Sequence, residues 1–381
     1  MKKIFAMAAC ATILAVTGCG QKNPQPSEGS EVGFALSFFQ KTNSSVNYDE
    51  NLLVSPYSAG VALSMLAEGA EGQTRAELDD ALNGCIFKAE DLGSNDSIVV
   101  KSANSVWVGD NFSIKNKYVS LLEKDYDAFV TTQNFLDPAT VHAINNWCSE
   151  NTAGKIKSIV DRLGSNDVMI LVNALYFNAP WQKAFDAEST RKGVFHGVKG
   201  AEQVDMMTQR NKFRYAQYMG CQMVELPYAG GRYSMYVVLP SEGMDVNSMI
   251  PYISESAFDA AMGMLDSREV ILTMPKFKLE TSLVLNDALQ DMGIETAFSG
   301  AADFKGIAAT GNLVLEQVKQ KCYIDVTEEG TEAAAVTSVQ VRLTSVDRNP
   351  VARMTVDRPY LFFIQDSQSG NILFAGKVVD L

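Results

Sequence analysis

The sequence predicts an α+β fold built as one large domain. Three observations lead there. Segments with a helical apolar period gather in the first half of the chain. Segments that alternate every second residue, or run continuously apolar, gather in the second half. No linker, repeat or low-complexity block divides residues 32–381. A composition of 46% hydrophobic and 20% charged residues gives such a domain ample core.

The chain opens with a stretch outside that domain. Met1-Lys2-Lys3 is basic, residues 4–16 are apolar, and Val16-Thr17-Gly18-Cys19 closes the run with small residues before a cysteine. This is the layout of a secretory signal over residues 1–18, too short to span a membrane. Val16 to Cys19 resembles the lipobox of bacterial lipoproteins. That implies cleavage before Cys19, lipidation of that cysteine and anchoring at a membrane surface. The expected location is the cell envelope, in the outer membrane or periplasm, with a surface-exposed position included. Residues 19–31 are polar and carry Pro, Gly and Ser, so they read as the lipidated terminus and a flexible tether.

Within the domain, Val32 to Thr42 has helical periodicity, as does Ala59 to Glu68 after Ser55-Pro56. Gly69, Gly72 and Gly84 punctuate the next region. "SIVVKSANSVWV" alternates as a strand, and Val141 to Thr152 reads as a helix stopped at Gly154. Val168 to Phe177 is a continuous apolar run, as expected of a strand buried on both faces. Met223 to Pro227 and Tyr233 to Pro240 read as strands joined by a turn at Ala229-Gly230-Gly231. "VILTMPKFKLE" reads as one further strand, and "SLVLNDALQDMGI" as a helix ended by Gly293. "YLFFIQD", a "SQSG" turn and "NILFAGKVVD" form a C-terminal hairpin.

Against 32 Lys and Arg stand 45 Asp and Glu, a formal net charge of −13. A solvated acidic surface of this kind does not suit nucleic acid, whose phosphates need a basic face. With Cys10 in the signal and Cys19 lipidated, Cys85, Cys148, Cys221 and Cys322 remain. They are scattered without CxxC spacing and are expected as free buried thiols. His142 and His196 have no metal-ligand spacing, and they are expected as solvated or core residues. There is no GxSxG elbow, no phosphate loop and no GxGxxG after a strand. Nothing here points to an enzyme, a metal or a cofactor.

Asn51 to Thr74, "NLLVSPYSAGVALSMLAEGAEGQT", resembles an N-terminal motif of the serpins, with Asn51, Ser55, Pro56, Ser58, Gly69, Ala70, Gly72 and Thr74 in register. "INNWCSENTAGKI", "LVNALYFNAPWQKAF", "VDMMTQ", "VELPYAGGRYSMYVVLP", "MPKFKLE", "ADFKGI", "EEGTEAAAVT" and the C-terminal "DRPYLFFI" and "NILFAGKVVD" resemble further family motifs in the family's order. On these the chain is identified as a member of that family over nearly its whole mature length. The resemblance implies three β-sheets with eight or nine helices and an exposed reactive-centre loop. It implies a monomeric suicide-substrate inhibitor, not an enzyme, whose partner is a target serine protease.

By the same resemblance the sheet-opening region comprises Ser55, Pro56, Ser58, Asn173, Trp181, Lys276 and Gln320. The loop hinge comprises Glu328, Glu329, Gly330, Thr331, Glu332, Ala333, Ala334 and Ala335, and Glu328 is expected to pair with Lys276. Two positions depart from the family. Gln320 stands where histidine is frequent, keeping donor and acceptor but losing the titratable ring. Pro180 before Trp181 replaces a flexible residue by a stiff one.

The loop residues support the resemblance independently. Thr331, Ala333, Ala335, Thr337, Val339, Val341 and Leu343 fall on one face and include no charge; Glu332, Ala334, Val336, Ser338, Gln340, Arg342 and Thr344 fall on the other. Strict alternation is what a half-buried strand needs and a surface loop does not. Gained ladder bonds at roughly 0.5–1.5 kcal/mol each would total on the order of 10 kcal/mol. Family spacing puts the scissile bond at Thr344-Ser345, whereas counting back from Pro359 points near Arg348. Extending the buried face beyond Leu343 would bury Ser345 and Asp347, and an unpaired carboxylate is costly there, which favours Thr344. A small β-branched residue after Leu343 suits elastase-like or subtilisin-like enzymes. Arg342, Arg348 and Arg353 would suit trypsin-like ones. A serpin-fold binding protein without inhibition, or a trap for cysteine proteases, are the alternatives.

Overall fold

The computed structural model describes residues 29–94, 98–164, 167–309, 313–332 and 350–381. Cys19, most of the tether, Ala333 to Ala335 and the bonds at Thr344, Ser345 and Arg348 lie outside the described residues.

Helix α1 (Glu31–Ser44) starts where Ser30 caps it, its Oγ accepting from Gly33 N–H at 3.0 Å. The expected tether therefore ends earlier than Glu31, because Ser30 and Glu31 are part of the helix start. Phe34, Phe38 and Phe39 of α1 are fully buried. Strand β1 (Leu52–Val54) leads to α2 (Pro56–Ala67), with Ser55 as N-cap and proline in the first turn, where its missing N–H costs nothing. α3 (Gly72–Ala81), β2 (Val99–Gly109), α4 (Asn116–Tyr126), β3 (Ala128–Gln133), α5 (Pro138–Asn151) and β4 (Met169–Pro180) follow. Next come β5 (Arg191–Gly197), the long β6 (Gly200–Tyr218), β7 (Cys221–Pro227), β8 (Tyr233–Pro240), α6 (Val246–Met249) and α7 (Glu255–Gly263).

The run expected as one strand is two, β9 (Asp266–Pro275) and β10 (Phe277–Val284). Pro275 has no N–H to continue a ladder, and the Lys276 N–H turns to Asp205 O at 2.8 Å. The chain thereby passes from a sheet containing β6 to one containing β11 (Lys319–Val326). The helix expected from Ser282 is also shorter. Ser282, Leu283 and Val284 still pair with β11, and α8 covers only Asn286–Asp291. Chain-end elements are β12 (Gly330–Thr331), β13 (Ala352–Thr355), β14 (Tyr360–Asp366) and β15 (Ile372–Val378), the last two forming the expected antiparallel hairpin.

Eight α-helices among the described residues surround three sheets. One runs β10-β11-β12-β4-β2-β3. The other two are continuous through β6 in one nine-stranded ladder, β1-β15-β14-β8-β7-β6-β9-β13 with β5 on β6: residues 206–215 of β6 pair with β9, and residues 215–218 pair with β7. Helix α2 packs on both β4 and β15, so it lies at the centre of the main core. On the outer face of the six-stranded sheet α5 buries Ile144 and Cys148 against Trp107, Val172 and Ala174. β4 is thus covered on both faces, yet Met169, Ile170 and Leu171 are only half-buried. Cys148, Cys221 and Cys322 are buried free thiols, and Cys85 is a half-buried one. His142 and His196 are exposed, the latter on β5. Among the described residues, no helix is long and apolar enough to cross a membrane.

Candidate functional site

The site is the slot between β4 and β11. These strands pair outward, β4 with β2 and β11 with β10, but they share no ladder with each other among the described residues. Only β12 joins them: Gly330 lies opposite Pro180, while Thr331 lies opposite Ala179 on one side and Val326 on the other, all antiparallel. Below these two residues, the inner edges of β4 and β11 have no ladder partner among the described residues. A cleft of about 960 Å³ at the foot of the slot is lined by Leu163, Ile170, Val172, Phe304, Ile307 and Lys319.

The short strand is seated by four constraints. The turn before it closes by a Thr327 N–H bond to Gly330 O at 2.9 Å. Gly330 is required by close approach, since a Cβ there would meet Ala179 O at 2.3 Å and Pro180 Cα at 2.6 Å. Thr331 points into the core, 1% exposed, with its hydroxyl 2.7 Å from the buried Tyr228 hydroxyl. Trp181 stacks on Tyr228 at 4.5 Å between centroids. Its Nε1–H donates to Thr327 O at 3.0 Å, and its backbone N–H donates to Glu329 O at 2.8 Å.

Glu328 and Lys276 close the top of the slot, with Nζ to Oε2 at 2.8 Å. The Thr190 hydroxyl donates to the other Glu328 oxygen at 2.7 Å. Burial raises the Glu328 carboxyl, but the hydrogen bonds from Lys276 and Thr190 outweigh it and hold it below the usual range. After Thr331 the backbone turns sharply, with Glu332 at φ +55°. Its side chain takes the opposite face, 2% exposed, with Lys155 Nζ 3.6 Å from Oε2. Burial pushes this carboxyl above the usual range against the pull of Lys155.

The residues expected as one sheet-opening region fall into two groups. Trp181 and Lys276 join the hinge at the top. Ser55, Pro56, Ser58, Asn173 and Gln320 gather lower, where α2 starts beneath the slot. Gln320 on β11 accepts from Ser55 N–H and donates to Ser55 O, both at 2.9 Å. Ser55 Oγ donates to Leu373 O at 2.7 Å, and Ser58 Oγ donates to Asn173 Oδ1 on β4. One helix start thus holds both sides of the slot. Sequence reasoning missed Thr190, Tyr228 and Lys155. Tyr228 and Lys155 sit inside quoted motifs, "VELPYAGG" and "TAGKI", but nothing local marks them as hinge partners.

These features define a class: a protein in which, among the described residues, two sheet strands are joined only by a short hinge strand that leads between them. The family profile described as "Serpin (serine protease inhibitor)" matches residues 30–381. An uncharacterized serpin-like protein of Thermococcus kodakarensis is 34% identical over 87% of this chain and 81% of its own length. Intracellular coagulation inhibitor 2 of Tachypleus tridentatus is 34% identical over 88% of this chain and 87% of its own. The crystal structure of the thermophilic serpin tengpin in its native state superposes with a TM-score of 0.84 and 30% identity, covering 92% and 93% of the two chains. The chain belongs to the serpin family of serine protease inhibitors.

Proposed function

We propose that the protein is consumed, one molecule per protease, as a suicide substrate of serine endopeptidases. The observation that carries this reading is β12, two residues already antiparallel between β4 and β11, which share no other strand among the described residues. Carried on in register, residues 332–341 fall opposite 178–169 of β4. The alternation then continues as it begins: Thr331 faces the core and Glu332 the other side.

In this reading a serine hydroxyl attacks the Thr344 carbonyl, the Ser345 amine leaves, and Thr344 becomes an ester of the enzyme. The freed strand enters the slot, and roughly 3.4 Å per inserted residue carries the acylated serine tens of ångströms from its starting place. Misaligned catalytic groups no longer hydrolyse the ester. Leu343-Thr344 directs the bait to elastase-like and subtilisin-like enzymes, with Arg348 as a trypsin-like alternative. Anchoring through a lipidated Cys19 would hold the inhibitor at the cell envelope.

Incubation with elastase, subtilisin and trypsin tests this. An SDS-stable complex and a released fragment beginning at Ser345 are expected. Clean cleavage with no complex and no gain in thermal stability would sink the reading. Metabolic labelling with a radioactive fatty acid, lost in Cys19→Ala, tests the anchor.

A further inference from the structure

Beside the hinge lies a basic cleft on a chain whose net charge is −13. It measures about 390 Å³ and is lined by Lys155, Lys157 and Ser158 after α5, and by Lys278, Lys321 and Tyr323 on β10 and β11. The Tyr323 ring carries two lysine ammonium groups, Lys155 at 5.0 Å and Lys278 at 5.1 Å from its centroid. Lys321 Nζ donates to Ser158 Oγ at 3.0 Å, which ties the segment after α5 to β11. Glu280 is the one carboxylate in the lining, and among the described residues Lys157, Lys278 and Lys321 have no carboxylate within 4 Å. Four cations outnumber Glu280 in the lining, so the concavity is net positive and favours the entry of an anion.

Lys155 has a second commitment. Its Nζ lies 3.6 Å from Glu332 Oε2, beyond hydrogen-bond range, and that buried oxygen accepts no hydrogen bond among the described residues. A lysine held this loosely can turn to an oxyanion at close range, where a charge-assisted bond is stronger.

We infer that this cleft is an oxyanion site for a phosphate or sulfate group, and that its ligand competes with Glu332 for Lys155. By linkage, binding unseats the hinge, and whatever unseats the hinge tightens binding. The binding does not depend on the inhibitory reading; only the consequence for inhibition does.

Calorimetric titration of the full chain with inorganic pyrophosphate, against sodium chloride at matched ionic strength, tests the site. Saturable binding is expected, weakened at least about tenfold in Lys157→Gln/Lys278→Gln, as loss of charge-assisted bonds requires. Glucose 6-phosphate in a parallel titration distinguishes a sugar-borne group from a free anion by whichever binds tighter. Glu332→Gln should tighten binding several-fold, and Lys155→Gln should abolish that gain. Hydrogen exchange at the Glu332 amide, which donates to Asp325 O at 2.8 Å, should speed up with pyrophosphate in the wild type but not in Lys155→Gln. A response equal to that of chloride, or binding undiminished in the double variant, would overturn the site. An affinity unchanged by Glu332→Gln would overturn the competition. Either result leaves complex formation with proteases as a separate question.

Discussion

The hydroxyls of Thr331 and Tyr228 meet 2.7 Å apart in a pocket where neither side chain is more than 1% exposed. This contact is the point where the loop has already become sheet. Replacing Thr331 with Arg would place a cation in that pocket with no counter-charge, at a cost of several kcal/mol. The variant should therefore be cut as a substrate with little complex, its stoichiometry of inhibition rising at least about tenfold, as each 1.4 kcal/mol shifts partitioning by that factor. Thr331→Val, which keeps the shape, should retain most of the trapping. Equal stoichiometry in wild type and Thr331→Arg, read by densitometry of the complex, would refute the insertion argument.

Gln320 satisfies both backbone groups of a buried serine. Gln320→Leu leaves the Ser55 N–H without a partner, a loss of about 1–3 kcal/mol, while the Ser55 C=O keeps the Ala59 N–H at 3.1 Å. The variant should melt earlier and lose inhibitory activity spontaneously on storage, because the α2 clasp on β11 is gone. Differential scanning and timed activity assays check both.

The hinge has two carboxylates with opposite pH behaviour. Glu328 is depressed, so its contribution is present above its unfolded pKa and is lost as pH falls through the folded value. Lys276 is raised, chiefly by its hydrogen bond to Glu328, so its share is lost only at strongly alkaline pH. Glu332 is raised by burial, with Lys155, Asp325, Tyr176 and Tyr323 around it. Its contribution runs the other way, favouring the seated hinge in acid and fading as pH rises through its folded value. At neutral pH Glu332→Gln should raise the urea midpoint. Lys276→Met should lower the free energy of unfolding by only about 0.5–1 kcal/mol, since the lysine is 38% exposed and screened. A midpoint lowered by Glu332→Gln would show that Lys155 outweighs burial.

Lys377 is fully buried on β15, and burial lowers it to about 8, with Nζ donating to Asn247 Oδ1 at 2.8 Å. A lowered lysine weakens the fold wherever the unfolded chain holds the proton more tightly, so stability should climb as pH rises from about 8 to 10.5. Lys377→Met removes the buried charge and should stabilise the fold by about 1–3 kcal/mol at neutral pH, flattening that climb. Denaturation midpoints across the alkaline range give the answer.

Much of this was legible in the residues. Periodicity located α1, α2, α5, β2, β4 and the C-terminal hairpin, because those elements bury a single face or a continuous run. It failed at Pro275-Lys276, where one apolar pattern serves two sheets and only tertiary pairing separates them. It failed again at Ser282 to Val284, where a helical pattern is overridden by the β11 ladder. The hinge was visible as a motif, but its partners were not. Thr190, Tyr228 and Lys155 come from distant parts of the chain and are ordinary residues in their own surroundings. Gln320 was marked as a departure from the family, yet its double bond to Ser55 appears only once α2 and β11 are brought together.

The single short strand that joins β4 and β11 among the described residues has a consequence for measurement. If the loop fills the lane below it, that lane can be written once, and the strand that fills it has no comparable place to return to. For an inhibitor of the proposed kind, each molecule would then keep a permanent mark of whether it met a protease. In any sample the ratio of heat-resistant, filled molecules to heat-sensitive, open ones would act as a dosimeter, reporting cumulative proteolytic exposure rather than the activity present when the sample was drawn.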